Sequence, residues 1–184
     1  MASIVSHAVV ALATGSAFPG PRLPRGVLAL GACLAVLPDI DAFGYWAGVP
    51  YDSLWGHRGI THSLAFAVLV AAGTAAIAFR RDDPSLSRSR LGLFLFVVMV
   101  SHGLLDACTN GGLGIAFFAP FDDSRYFFPV RPIEVSPIGI RRFFTARGWV
   151  IAGSELRWIW LPSAVLAGSA ALVRRIRTDP APLA

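Results

Sequence analysis

Five apolar stretches divide the 184-residue chain, at roughly 3–18, 23–38, 60–79, 91–108 and 156–173. No other feature limits the fold as strongly. The third and fourth approach the ~20 residues a helix needs to cross a bilayer, the fifth comes close, and the first two lie at the short edge of the range. Hydrophobic residues make up 55% of the chain and charged residues 15%, against about 25% charged in soluble domains. An apolar surplus of that size belongs in lipid. Hydrocarbon offers backbone groups no water, so each segment must pair its own N–H and C=O groups, which makes them helices. The expected fold is an all-α membrane protein, a bundle of about five apolar helices. The first two are either tilted, partly re-entrant or packed inside the others.

The connectors set the organisation. Phe18-Pro19-Gly20-Pro21 breaks the chain between the first two segments, and Pro38 ends the second. A charged loop, Arg80-Arg81-Asp82-Asp83-Pro84-Ser85, follows the third. Thr109-Asn110-Gly111-Gly112 is a helix stop, because Asn and Gly accept the left-handed backbone beyond a helix C-terminus. Residues 113–155 are rich in Phe, Pro and Arg and lack a long helical period. They are expected to fold as an interfacial cap between helices four and five, in which 125–128 and 133–135 are candidates for short strands. The chain thus reads as one integral membrane domain, 1–177, with a loose Pro-rich tail at 178–184. Nothing in it sets an oligomeric state.

The net charge of +5 comes from sixteen arginines and no lysine. Arginines flank apolar segments, as in Arg80-Arg81 and Arg174-Arg175, so they suit a membrane edge rather than nucleic acid, for which no motif is present. The N-terminus lacks a positive n-region and is not read as a cleaved signal peptide. Cys33 and Cys108 have no metal-type spacing.

Threading the five helices alternately through a bilayer brings the unusual residues together. His7 lies near the start of helix one, Asp39 and Asp41 follow helix two, His57 and His62 bracket the start of helix three, and His102 and Asp106 lie in the last turns of helix four. All seven fall at one end of the bundle, and no histidine falls elsewhere. Ionisable groups at membrane depth are costly and usually functional. Four imidazoles with three carboxylates suit one or two divalent ions, zinc first, with manganese or magnesium as alternatives.

Each motif has its own chemistry. His102 and Asp106 are four residues apart and share a helix face, as ligand pair or as ligand and support. Asp39 and Asp41 alternate, so in an extended segment they point the same way and would bridge two metals, or divide the roles of ligand and base. In His57-Arg58-Gly59-Ile60-Thr61-His62-Ser63, the histidines are five apart and lie on different faces. Arg58, beside a helix N-terminus, is placed to stabilise anionic charge. Cys108 follows Asp106 by two residues and points elsewhere. Arg125, Arg131 and Glu134 in the cap are solvated interfacial charges or head-group contacts. Tyr45, Trp46, Tyr51 and Trp55 read as an interfacial aromatic belt.

The early His7, Leu37-Pro38-Asp39-Ile40-Asp41, the His57–Ser63 block and Ser101-His102-Gly103-Leu104-Leu105-Asp106 with Thr109–Gly112 together resemble the YdjM-like inner-membrane metal-dependent hydrolases. The resemblance covers about residues 1–140, and the His-Arg-Gly-x-Thr-His-Ser block is its most specific part. It implies a metal-dependent hydrolase in the inner membrane. The order of ligand types is also similar to that of the helical zinc phospholipase C and nuclease group, which favours phosphoesters.

The expected activity is therefore hydrolysis of a lipid-linked or interface-borne phosphoester or other ester. His7, Asp39, Asp41, His57, His62, His102 and Asp106 are the candidate metal ligands. Asp39 or Asp41 would serve as base, and Arg58 would stabilise developing charge. No G-x-S-x-G nucleophile motif is present. The alternative is a non-enzymatic metal-binding membrane protein with a structural, sensing or transport role. Seven candidate groups exceed the four of a closed structural zinc site. Helices three and five have almost no polar group at mid-depth, which disfavours transport. The end opposite the site carries Arg22, Arg25, Arg80, Arg81, Arg88, Arg90, Arg174, Arg175 and Arg177. By the positive-inside rule the site then faces away from the cytoplasm.

Overall fold

The computed structural model describes residues 1–78, 86–137 and 144–178. The Arg80–Ser85 loop, Arg141, Arg142 and the tail beyond 178 lie outside the described residues. All regular structure among the described residues is helical: α1 (Ile4–Ala17), α2 (Arg25–Val36), α3 (Ala42–Trp46), α4 (Leu64–Ala78), α5 (Arg88–Ala107), α6 (Ala146–Glu155) and α7 (Leu161–Thr178).

Helix α5 is the central post. Its buried residues Leu91, Phe94, Leu95, Val98, His102 and Asp106 recur at helical spacing and form one stripe. The first four pack with Ala11, Ala35, Ala71 and Ala75 from α1, α2 and α4. Small residues let the helices approach closely, as is common where lipid removes the hydrophobic drive between helices. A Cβ on Gly31 would lie 2.6 Å from the Phe94 ring. The same stripe turns ionisable in its last two turns, so the helix that centres the core also carries His102 and Asp106 into the site.

Helix lengths differ from the sequence expectation. The second segment continues from α2 through a 3-10 turn at Leu37–Asp41 into α3. The result is a 22-residue span, Arg25–Trp46, that is long and apolar enough to cross a membrane. Pro38 does not end it, because at the start of a new turn its missing N–H leaves no bond unmade. Among the described residues, α1 and α4 are the shorter apolar helices, of 14 and 15 residues. α4 begins at Leu64 rather than 60, since Ile60–His62 form a 3-10 turn and Ser63 is extended. α5 and the α6–α7 unit, Ala146–Arg177, are also long and apolar enough to span.

The last ten residues of the cap form α6, where Gly148, Ile151 and Glu155 are buried at helical spacing. A π turn at Leu156–Trp160 joins α6 to α7 and shifts the register of the buried face. The expected strands are reduced to two isolated bridges, Ile115 with Tyr126 and Thr109 with Ile133. The cap segments also satisfy loose backbone at the helix ends. Phe128 N–H donates to the Ala107 carbonyl at the end of α5, and Leu64 N–H at the start of α4 donates to the Phe117 carbonyl.

Candidate metal centre

The 3-10 turn after α2 places Asp39 and Asp41 on the bundle's inner side. Tight turns at 51–59 bring His57 and Arg58 back beneath them. These turns allow no side chain at Gly56 or Gly59, where a Cβ would lie 2.2 Å from a backbone carbonyl oxygen. All seven residues singled out by type and topology are buried here, between 0 and 7% exposed.

Asp39, His62, His102 and Asp106 each offer a ligand atom within 4.8 Å of the others. Two tautomers are dictated by outer contacts. His102 Nδ1 lies 2.7 Å from the Ala35 carbonyl, an acceptor only, so Nδ1 carries the proton and Nε2 the lone pair. His62 Nδ1 lies 3.2 Å from Asp41 Oδ2, which likewise leaves Nε2 bare. The two Nε2 atoms face each other at 3.0 Å. Asp39 Oδ1 is 3.4 Å from His102 Nε2 and 3.8 Å from His62 Nε2. Burial pushes the His62 pKa down to about 4 even with Asp41 beside it, so the ring is uncharged at neutral pH.

In the neutral tautomers that these contacts fix, imidazole lone pairs and carboxylate oxygens converge. Both Asp39 oxygens, Asp106 Oδ2 and both His7 ring nitrogens are buried without a hydrogen-bond partner. Such atoms are costly unless something satisfies them. A divalent cation fits this donor set. Ligand atoms about 2.0–2.1 Å from a tetrahedral zinc lie roughly 3.3 Å apart, close to the separations found here.

The other residues surround this group. His7 stacks on His102 with ring centroids 3.7 Å apart, and its Nε2 lies 3.5 Å from Asp106 Oδ1. Asp41, His57 and His62 form a second group with metal-compatible spacing. Both Asp41 oxygens are engaged there. Oδ1 meets His57 Nδ1 at 2.5 Å, and Oδ2 accepts from Thr61 Oγ1 and the Arg58 N–H at 2.7 and 3.1 Å. Cys108 belongs to neither group.

Arg58 is not at a helix N-terminus facing open space. It is fully buried with φ +67°, its Nε is 3.2 Å from Asp106 Oδ2, and it donates to Gly111 O and Thr109 Oγ1 at 2.7 and 2.9 Å. The position of Gly112 favours glycine because its φ is +89°, and a Cβ there would also lie 2.5 Å from Arg58 Nη1. The start of α4 is occupied by its own Ser63, whose hydroxyl accepts from Phe66 N–H. In the cap, Arg125 donates to the carbonyls of Tyr51, Ser53 and His57 and so holds the loop carrying His57. Glu134 pairs with Arg147 at 3.0 Å.

Glu155 was missed by the sequence reading. It is 1% exposed, and its carboxylate accepts from Ser3 N–H, Ser3 Oγ and Ser6 Oγ at 2.5, 2.6 and 2.8 Å. Trp160 Nε1 donates to Ser6 Oγ at 2.8 Å. These contacts clamp the N-terminus of α1 to the last helix, one turn before His7. The signal was an acid beside an apolar run, hidden because 146–155 was assigned to the cap. Glu155→Leu is expected to cost about 2–4 kcal/mol, since three donors lose a charged acceptor. Glu155→Gln, which keeps an acceptor oxygen, should cost less. Thermal unfolding in detergent checks both, and equal midpoints for Glu155→Leu and the unaltered protein would remove the clamp's significance.

The family model described as YdjM inner membrane protein matches residues 1–178. The inner membrane protein YbcI of Escherichia coli (strain K12) is 39% identical over 168 residues, covering 91% of this chain and 96% of that protein. No solved structure matches the chain.

Proposed function

The chain belongs to the YdjM inner membrane protein family, and on that premise we propose that its buried His/Asp cluster is the divalent-metal centre of a membrane hydrolase. The substrate class is a phosphoester, or another ester, on a lipid or lipid-linked molecule at the membrane interface. One observation carries the reading: two imidazole lone pairs and an unpartnered carboxylate face one another in a buried volume. Asp39, His62, His102 and Asp106 would hold the ion, and the two imidazoles favour zinc over manganese or magnesium. When bound, such an ion supplies Lewis acidity, lowering the pKa of water and polarising a phosphoryl or carbonyl oxygen.

The chain's own groups do the rest. Asp41 fixes the His62 tautomer and orients His57. Arg58 balances Asp106 and holds it in position. His7, stacked on His102, restricts the imidazole plane. Asp39, with both oxygens free of hydrogen bonds, is the carboxylate available to take a proton from water. The arginine-rich opposite end supports a site that faces the non-cytoplasmic side.

The low exposure of every donor supports a second reading, a closed structural ion. Metal content of detergent-purified protein, measured beside hydrolysis of a panel of phosphomonoesters, phosphodiesters and carboxylic esters, separates the two. Bound zinc with hydrolysis lost on chelation and regained on adding zinc is the expected result. Bound metal whose removal unfolds the protein, with no ester cleaved, selects the structural ion. Absence of any metal after reconstitution would end both readings.

A further inference from the structure

The bundle end opposite the metal centre carries its own construction. Arg90 donates to the Pro19 carbonyl at 3.1 Å and to that of Pro21, and Arg174 donates to the carbonyls of Gly20 and Phe18 at 2.9 Å each. The α1–α2 loop, the start of α5 and the end of α7 are thereby fastened together. Seven described arginines lie at this end. Between α1, α2 and α7 lies a groove of about 220 Å³ walled by Leu23, Leu28, Ala167 and Ala171, with Arg22 and Arg174 at its mouth.

We propose that this groove seats one anionic phospholipid, its acyl chain along the Leu/Ala wall and its phosphate between Arg22 and Arg174. Two observations converge. The wall is apolar, and Ala167 and Ala171 leave room along it because they present no bulk. The mouth is cationic and pre-positioned, since Arg174 is already anchored to two carbonyls and need not be ordered on binding. Basic pockets between membrane helices on the cytoplasmic side recognise acidic head groups in this manner. The lipid would join α7 to the α1–α2 hairpin, two elements whose other described polar tie at this end is the Arg174 clamp. This inference does not depend on the metal centre.

Native mass spectrometry of the detergent-purified protein tests it, with phosphatidylglycerol and phosphatidylcholine offered at equal concentration. One phosphatidylglycerol per chain should be retained in preference to phosphatidylcholine. Arg22→Gln should lower that preference about five-fold, the effect of one arginine near an anionic head group. Ala171→Phe, which fills the groove and leaves every charge in place, should abolish the one-to-one adduct. Free glycerol phosphate at the same concentration should not displace the lipid. Equal retention of both lipids overturns the proposal. So does an undiminished adduct in correctly folded Ala171→Phe, which would leave only a diffuse surface charge, or displacement by glycerol phosphate, which would make the groove irrelevant.

Discussion

His102→Ala is expected to abolish metal retention and to lower hydrolytic kcat/KM by more than about 10²-fold. Replacing an outer-shell partner of a metal ligand typically costs 10–100-fold in metal affinity or activity, and His102 is placed to ligate directly. Its Nε2 is the atom that both His62 and Asp39 face. The substitution also removes the stacking partner of His7. Asp41→Asn makes the contrast. Asp41 orients His57 and His62 without an oxygen to spare, so its loss should weaken metal retention within the 10–100-fold range and leave some activity. Metal analysis of both variants beside an intact elution profile reads the outcome. A full equivalent of metal in His102→Ala would sink the assignment of the centre.

Arg58→Ala should be the most destabilising single change outside the metal donors, at about 3–5 kcal/mol in the metal-free protein. Removing one partner of a buried ion pair leaves the other charge uncompensated. Here that partner is Asp106, and the Thr109 hydroxyl and the Gly111 carbonyl lose their donor as well. Two companion variants separate charge from backbone. Arg58 has φ +67°, where a side chain costs about 1 kcal/mol or more, so Arg58→Gly should be less harmful than Arg58→Ala by roughly that amount. Arg58→Ala combined with Asp106→Asn should recover part of the loss, because the stranded carboxylate is gone. Chemical unfolding in mixed micelles measures all three. If Arg58→Ala unfolds like the unaltered protein, Arg58 is not the counter-charge that holds Asp106.

The convergence of His7, Asp39, Asp41, His57, His62, His102 and Asp106 was legible because alternate threading of apolar helices assigns each connector an end. Residue order then decides which side chains can meet, with no knowledge of packing. The same simplicity explains what was illegible. Pro38 reads as a terminator in one dimension, yet it sits among the first two residues of a new turn, where its missing N–H costs nothing. Residues 146–155 mix Arg, Gly, Ser and Trp and lack an apolar run. Their helix shows only in the buried trio Gly148, Ile151 and Glu155, which needs a neighbouring helix to define a face. Glu155 escaped notice for the same reason.

By itself, then, the sequence determined that the chain lies in a membrane as helices and that its four histidines gather at one end with Asp39, Asp41 and Asp106, since both follow from hydropathy and order. Tertiary structure alone decided the division of labour among those residues. Asp39 is left with no hydrogen bond while Asp41, two residues on, has both oxygens engaged, and Arg58 is turned inward to Asp106 rather than outward to a ligand. The physical reason is that a carboxylate or guanidinium takes its role from the partners within about 3 Å. Those partners, Thr61, Ala35, Thr109 and Gly111, come from segments far apart in the chain and carry no sequence mark of the task.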